Sequence, residues 1–162
     1  KSYVHDIKGR KVIGSPQCEL NICNQQLCNQ LTRLGCVQNK TYVLQFPTYE
    51  QIPDKLMPHF IRGFFDGDGW ISYSKEKIIS YVGFVGMESF LAPLRDFLVE
   101  KLDVKKVALR EREGNKAKEI TWSSFSDCEK IYNYLYNDCN IYLERKLKKF
   151  DEVFCLGQLK CE

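Results

Sequence analysis

The chain reads as an α+β protein on an antiparallel sheet, in the order helix, strand, strand, helix, strand, strand, helix, across residues 51–162. Three observations predict this. An apolar helical run from Phe60 ends in two carboxylates interleaved with glycines, Asp66-Gly67-Asp68-Gly69, and a strand-like segment opens at Trp70. Segments of alternating polarity follow in pairs, as in a sheet with one buried and one wet face. Between and after them, apolar residues recur at helical spacing.

Pro58 and His59 lead into the first helix, where Gly63 and Gly67 lie four apart and so stack on one face that lets another backbone come close. The helix stops at Gly69. Glycine stop signals and turn-forming aspartates are ordinary at a helix C-terminus, but a carboxylate placed where a close-packed helix ends is poorly explained by packing. Asp66 and Asp68 are therefore the leading functional candidates. Trp70 to Ser74 and Ile78 to Val85 read as strands around a Lys75-Glu76-Lys77 turn. Glu88 to Leu102 carries Phe90, Leu91, Leu94, Leu98 and Leu102 at helical spacing, with Pro93 expected in the first turn or so, where its missing N–H costs little. Val104 to Arg112 alternates, Val107 and Leu109 on one side and Lys106, Ala108, Arg110 and Arg112 on the other. Gly114-Asn115 turns the chain, Glu119 to Ser123 returns, and Ser126 to Asn137 is a helix with Ile131 and Leu135 inside. The last helix, Tyr142 to Phe154, bears Arg145, Lys146, Lys148 and Lys149, read as a solvated face that touches phosphate at most.

The segment before residue 51 has related grammar. Cys18 to Leu34 reads strand, turn, helix, as does Lys118 to Leu135; Glu19 aligns with Glu119, Leu20 with Ile120 and Ile22 with Trp122, while Leu27 and Leu34 match Cys128 and Leu135 after one inserted residue. The identity is weak and the pattern good. A repeat of this kind divides the chain into residues 1–50, the C-terminal part of a truncated first half-domain, and residues 51–162, a complete second one. The counterpart of Asp68 would then precede Lys1. The alternative is an N-terminal extension on a protein with a single motif.

Ile61 to Gly69, I-R-G-F-F-D-G-D-G, resembles the signature of the LAGLIDADG homing endonuclease family. The resemblance runs from about Ile52 to the end and implies a homing-endonuclease-like half-domain. Motif helices of two half-domains would pack through their small residues, making Gly63, Gly67 and Asp66 the helix-interface residues. Asp68 matches the acid that binds divalent metal at the DNA cleavage centre, Gly67 is a neighbour with a carbonyl to offer, and Asp66 matches the acid with a more structural role. Arg62 stands where the family name has Ala. The implied function is site-specific, Mg²⁺-dependent double-strand cleavage of DNA. The implied partners are duplex DNA and either the missing N-terminal half-domain or a second copy docked through the motif helix. A water-organising residue would be sought at the ends of the second and fourth strands, where the chain has Gly86, Met87, Glu88, Trp122 and Ser123; Lys118 is the catalytic substitute. A DNA-binding regulator without catalysis and an intron RNA maturase are the rival readings, and Asp68 argues against the first.

On the DNA side, Lys106, Arg110 and Arg112 project from one strand face about 6.6 Å apart per two residues, close to the phosphate spacing of a nucleic-acid strand. Ser72, Ser74 and Thr121 share that face and complete the DNA-binding set. A net charge of +3, 44% hydrophobic and 28% charged residues describe an ordinary, mildly basic globular protein, so the arrangement of charge matters more than its sum. No apolar run approaches the roughly 18 residues of a membrane span, and no secretory signal opens the sequence, which points to an intracellular setting. Eight cysteines without a C-x-x-C pair argue for reduced thiols serving as small apolar residues.

Overall fold

The structure, a computed structural model, describes residues 3–5, 19–37, 43–74, 79–112, 114 and 116–158. The turn expected at Lys75 to Lys77, and Asn115, Cys18 and Cys161, lie outside them. The chain forms two compact units, Lys1–Cys36 and Val37–Glu162.

In the first unit β1 (Tyr3–His5) pairs antiparallel with β2 (Glu19–Asn21), and α1 (Gln25–Arg33) follows. Asn24 caps α1, its side chain accepting from the Leu27 N–H at 2.9 Å. Leu27, Leu31 and Leu34 form a stripe along the helix and are 36%, 41% and 50% exposed among the described residues. Cys23, Cys28 and Cys36 are exposed as well, so they are not the small apolar fillers expected. Cys128, in the second unit, is one: it is fully buried.

The second unit opens with a 3₁₀ turn, Asp54–Leu56, that runs into α2 (Met57–Asp68) with Pro58 in its first turn. There follow β3 (Gly69–Ser74), β4 (Ile79–Gly86), α3 (Glu88–Leu102), β5 (Arg110–Glu111), β6 (Lys118–Trp122), α4 (Phe125–Tyr136) and α5 (Glu144–Gln158). The strands form one antiparallel sheet in the order β3-β4-β6-β5. This is the α+β order that the sequence predicts. Ile71, Val82, Phe84, Ile120 and Trp122 point from one sheet face into a core closed by Ile61 and Phe65 of α2, Leu91, Leu94 and Leu98 of α3, Ile131 and Leu135 of α4 and Phe150 of α5. Leu44 and Phe46, ahead of α2, pack against the same core, the Phe46 ring lying 5.6 Å from Phe90 and from Phe97. No helix among the described residues is long and apolar enough to cross a membrane.

Two expectations change. Residues 106–110 alternate in burial as the sequence predicts, yet only Arg110–Glu111 pairs as strand. The reason lies in the carbonyls: Lys105 O accepts from the Trp122 indole at 2.8 Å and Val107 O from Arg95 Nη1 at 3.3 Å, which draws this stretch off the β6 edge. Pro93 is the sixth residue of α3 rather than a first-turn residue, and the helix passes through it on an exposed side.

Candidate functional site

The site is built where α2 ends. Gly69 closes the helix with extended backbone, its N–H reaching Phe65 O, and the chain turns directly into β3. Only glycine fits there: a Cβ on residue 69 would come within 2.2 Å of the Phe65 ring and 2.6 Å of the Phe65 carbonyl. Phe65 is in turn fixed in the core by Phe84 and Phe150, with ring centroids 5.2 and 5.5 Å away. The last turn of the helix, bearing both acids, is therefore held by close packing on its inner side.

The two acids do different things. Asp66 accepts from Tyr136 Oη at 2.7 Å and from the Leu143 N–H at 2.9 Å, which ties α2 to the α4–α5 connection. Burial, then the Asp66 carboxylate, pushes the Tyr136 hydroxyl far up, so it stays a proton donor. One turn earlier, Arg62 is only 6% exposed and donates from Nε to Ile141 O at 2.8 Å and from Nη1 to Leu135 O at 2.9 Å, with Nη2 2.9 Å from His59 Nδ1. Asp68, by contrast, is exposed and accepts no hydrogen bond from a described side chain.

Beneath this turn sits Lys146. The sequence reading put it on a solvated face; it is 7% exposed, its ammonium 5.0 Å from the Phe65 ring centroid, donating to Phe65 O at 3.4 Å and to Gly69 O. A cation there complements the unsatisfied carbonyls and negative end of the helix dipole. Burial lowers its pKa, as does neighbouring Arg145, while Asp66 and Asp68 oppose that shift.

Asp68 edges a cleft of about 250 Å³ with Phe64, Gly86, Met87, Phe90 and Ala117. Gly86 and Met87 thus lie where a residue near the metal was sought, and Glu88 follows them. Trp122 and Ser123 do not, because β6 begins at this end of the sheet and runs away from it: Lys118 pairs with Gly86, and Trp122 with Val82 in the core. Lys118 stands at the correct end, but its ammonium is 3.0 Å from Glu88 and 3.6 Å from Glu111, which raises its pKa. Gly63 and Gly67 lie on an exposed face of α2, and among the described residues a Cβ on either would meet nothing within 4 Å.

Register brings the sheet candidates together. Opposite the core, Trp70 and Ser72 of β3 lie beside Gly83 and Tyr81 of β4, Gly83 beside Thr121 of β6, and Glu119 beside Arg110 of β5. Ser74 pairs with Ile79 at the far end. Glycine at 83 is required by Trp70, whose indole would stand 2.6 Å from an added Cβ. Thr121 Oγ1 donates to Glu119 at 3.0 Å, and Lys106 is ion-paired with Asp96 at 3.0 Å. Arg112 is exposed just beyond β5. The sequence reading missed Arg62, Tyr136, Lys146 and Lys105; the first could have been found as a lone arginine inside an apolar helix, four residues before an acid.

No protein-family model matches the chain, and no curated protein is recognisably similar to it in sequence. Solved structures are similar in fold. A Lys-to-Ala mutant of I-SmaMI matches with a TM-score of 0.50 over 85% of this chain and 46% of that one, at 16% identity. The LAGLIDADG meganuclease I-AabMI, solved with uncleaved DNA, matches with a TM-score of 0.47 over 63% and 36% at 20% identity. The homing endonuclease I-TnaI matches with 0.46 over 63% and 71% at 14% identity. The chain thus spans under half the length of I-SmaMI, a LAGLIDADG homing endonuclease. Helix order, sheet order and this match give the chain the α+β half-domain fold of the LAGLIDADG homing endonucleases.

Proposed function

We propose that this chain is part of a site-specific DNA endonuclease that hydrolyses phosphodiester bonds with Mg²⁺ or another divalent metal. The observation that carries the reading is the division of labour at the end of α2: Asp66 spends both oxygens inside the protein, while Asp68 stays exposed and unengaged beside it. A carboxylate that accepts no hydrogen bond from a described side chain, on a turn held rigid from beneath, is suited to a ligand from outside.

The donor set fits a magnesium ion. No cluster of three or more acidic, His or Cys side chains able to hold a metal occurs among the described residues. Magnesium is commonly held by one or two carboxylates completed by water and substrate phosphate oxygens, so Asp68, with the Gly67 carbonyl, supplies one half-domain's share. Bound there, the ion would supply activation of water and stabilisation of charge on the leaving oxygen. This chain's residues do the rest: Lys146 and the Phe65 packing hold the turn, Phe64, Met87 and Phe90 line an apolar wall, and Lys118, paired with Gly86 at this end of the sheet, is the candidate for organising water. Ser72, Thr121 and Arg110 form a polar sheet face for duplex DNA, with Arg112 exposed just beyond it.

A double-strand cut needs a second carboxylate. The first unit fits the tail of another half-domain: α1 follows β2 as α4 follows β6, and the caps Asn24 and Ser124 each accept from the backbone N–H three residues on. The apolar stripe that is exposed on α1 is buried on α4, where Cys128, Ile131 and Leu135 pack into the core. The partner is then that half-domain, or a second copy docked through Gly63 and Gly67.

Asp68→Asn preserves shape and removes the charge that attracts the metal. In the assembled protein it should leave duplex binding intact and lower cleavage in Mg²⁺ by orders of magnitude. Undiminished cutting by this variant overturns the assignment.

A further inference from the structure

A second cavity lies away from the Asp68 cleft, at the edge of the sheet. The β5–β6 ladder ends at Arg110 and Glu119, and the chain before it swings out because the buried Trp122 indole holds the Lys105 carbonyl. Between residues 105–110 and 121–124 this leaves a groove of about 380 Å³. Its walls carry Lys105, Lys106 and Arg110 against a single carboxylate, Asp127, with Ser123 and Ser124 on the β6 side. The charges are not equivalent. Lys106 is paired with Asp96, whereas Lys105 and Arg110 make no ion pair with a described residue. Asp127 sits in the first turn of α4, where unsatisfied N–H groups offset its charge, and its own N–H is taken by Ser124 Oγ at 3.4 Å.

We propose that this groove binds a backbone phosphate of duplex DNA, with Lys105 and Arg110 as the cationic ligands and Ser123 as a hydroxyl donor. It rests on the DNA-binding reading above and adds a contact that the sheet face alone does not have. Arg110 belongs to both surfaces, lying on the same face as Ser72 and Thr121 while lining the groove, so a backbone crossing the sheet reaches Lys105 next. Arginine grips a phosphate through two parallel N–H donors and lysine adds a point charge. Trp122 and Ser123 mark the end of β6 opposite the Asp68 cleft, so the phosphate held here flanks the cut rather than being cut. A free inorganic anion offers similar chemistry; continuity with the sheet face favours the DNA backbone.

The test is equilibrium binding of the full chain to a random-sequence duplex across a salt series, with folding of each variant checked by thermal melt. The double variant Lys105→Ala/Arg110→Ala, which removes both cationic ligands of the one phosphate, should flatten the slope of log K against log salt by about 0.9, the value for one phosphate contact, and each single variant by part of that, while Lys106→Ala should not. A wild-type chain that binds no duplex overturns the DNA-binding reading and the groove together. Wild-type binding with an unchanged slope in the double variant overturns the groove alone. Displacement of duplex by inorganic phosphate at constant ionic strength would show a pocket for free anions and would also overturn it.

Discussion

At the scale of single residues, the end of α2 separates structural from chemical polarity. Asp66, Arg62 and Tyr136 are buried or half-buried groups whose bonds close inside the protein; Asp68 is the one left over. Arg62 occupies the position where the family name has Ala, and it satisfies the Leu135 carbonyl at the C-terminal end of α4 and the Ile141 carbonyl in the loop beyond. Arg62→Met should therefore cost about 2–4 kcal/mol, since hydrogen bonds from charged groups are lost and two carbonyls are left unpaired. Arg62→Lys, which keeps the charge but not the fork, should fall between the two. Chemical denaturation reads this directly, and a midpoint unchanged in Arg62→Met would show that the guanidinium contributes nothing net.

At the scale of elements, α2 has two unlike faces. Met57, Ile61 and Phe65 face the core, while Gly63 and Gly67 expose backbone. The sequence places Gly63 on a face that lets another backbone come close, so bulk there should disturb a packed partner. Among the described residues an added Cβ at 63 meets nothing within 4 Å, and replacing a helix-interior glycine removes a cost of about 1 kcal/mol. Gly63→Leu should thus leave the melting temperature of the separate chain unchanged or raised, while abolishing any assembly made through this face. Solution mass measured beside a thermal melt tests both halves. A Gly63→Leu chain that melts normally and still assembles places the contact on another surface.

At the scale of the whole molecule, burial of ionisable groups makes the core sensitive to alkali. The Cys128 thiol, desolvated between β6 and α4, is pushed up to about 12 from 9.0, and the Tyr132 hydroxyl to about 12 from 10.0, by burial and then by its bond to Asp151. Both must stay protonated in the fold, whereas the unfolded chain releases these protons earlier. Their contribution is whole below about pH 9 and is lost as pH rises toward 12. Lys146 acts in the opposite sense: its folded pKa lies below 10.5, so the penalty for burying its charge fades as pH approaches that value. The melting temperature should fall from about pH 9 upward, and Cys128→Val should remove the earliest part of that fall. A melting temperature flat across this range in the wild type would contradict the burial of Cys128.

Local sequence alone determined the order of helices and strands in the second unit, the helix break at Gly69 and the core residues of α3 and α4. Each of these follows from short-range pattern: alternation of period two, apolar spacing near 3.6, glycine next to aspartate, and Pro58 in a first helical turn. The common outer face of Ser72, Thr121 and Arg110 also follows, once the strands are paired. Tertiary structure decided what depends on residues far apart in the chain. Lys146 lies 77 residues from the Gly69 carbonyl it holds, and Arg62 lies 79 from the Ile141 carbonyl it caps, so no local pattern separates them from solvated charges. The strand expected at 104–109 was lost for the same reason, because its carbonyls found the Trp122 indole and the Arg95 guanidinium before they found a ladder. Periodicity states which side of a segment is apolar; only the packed chain decides where each polar group finds its partner.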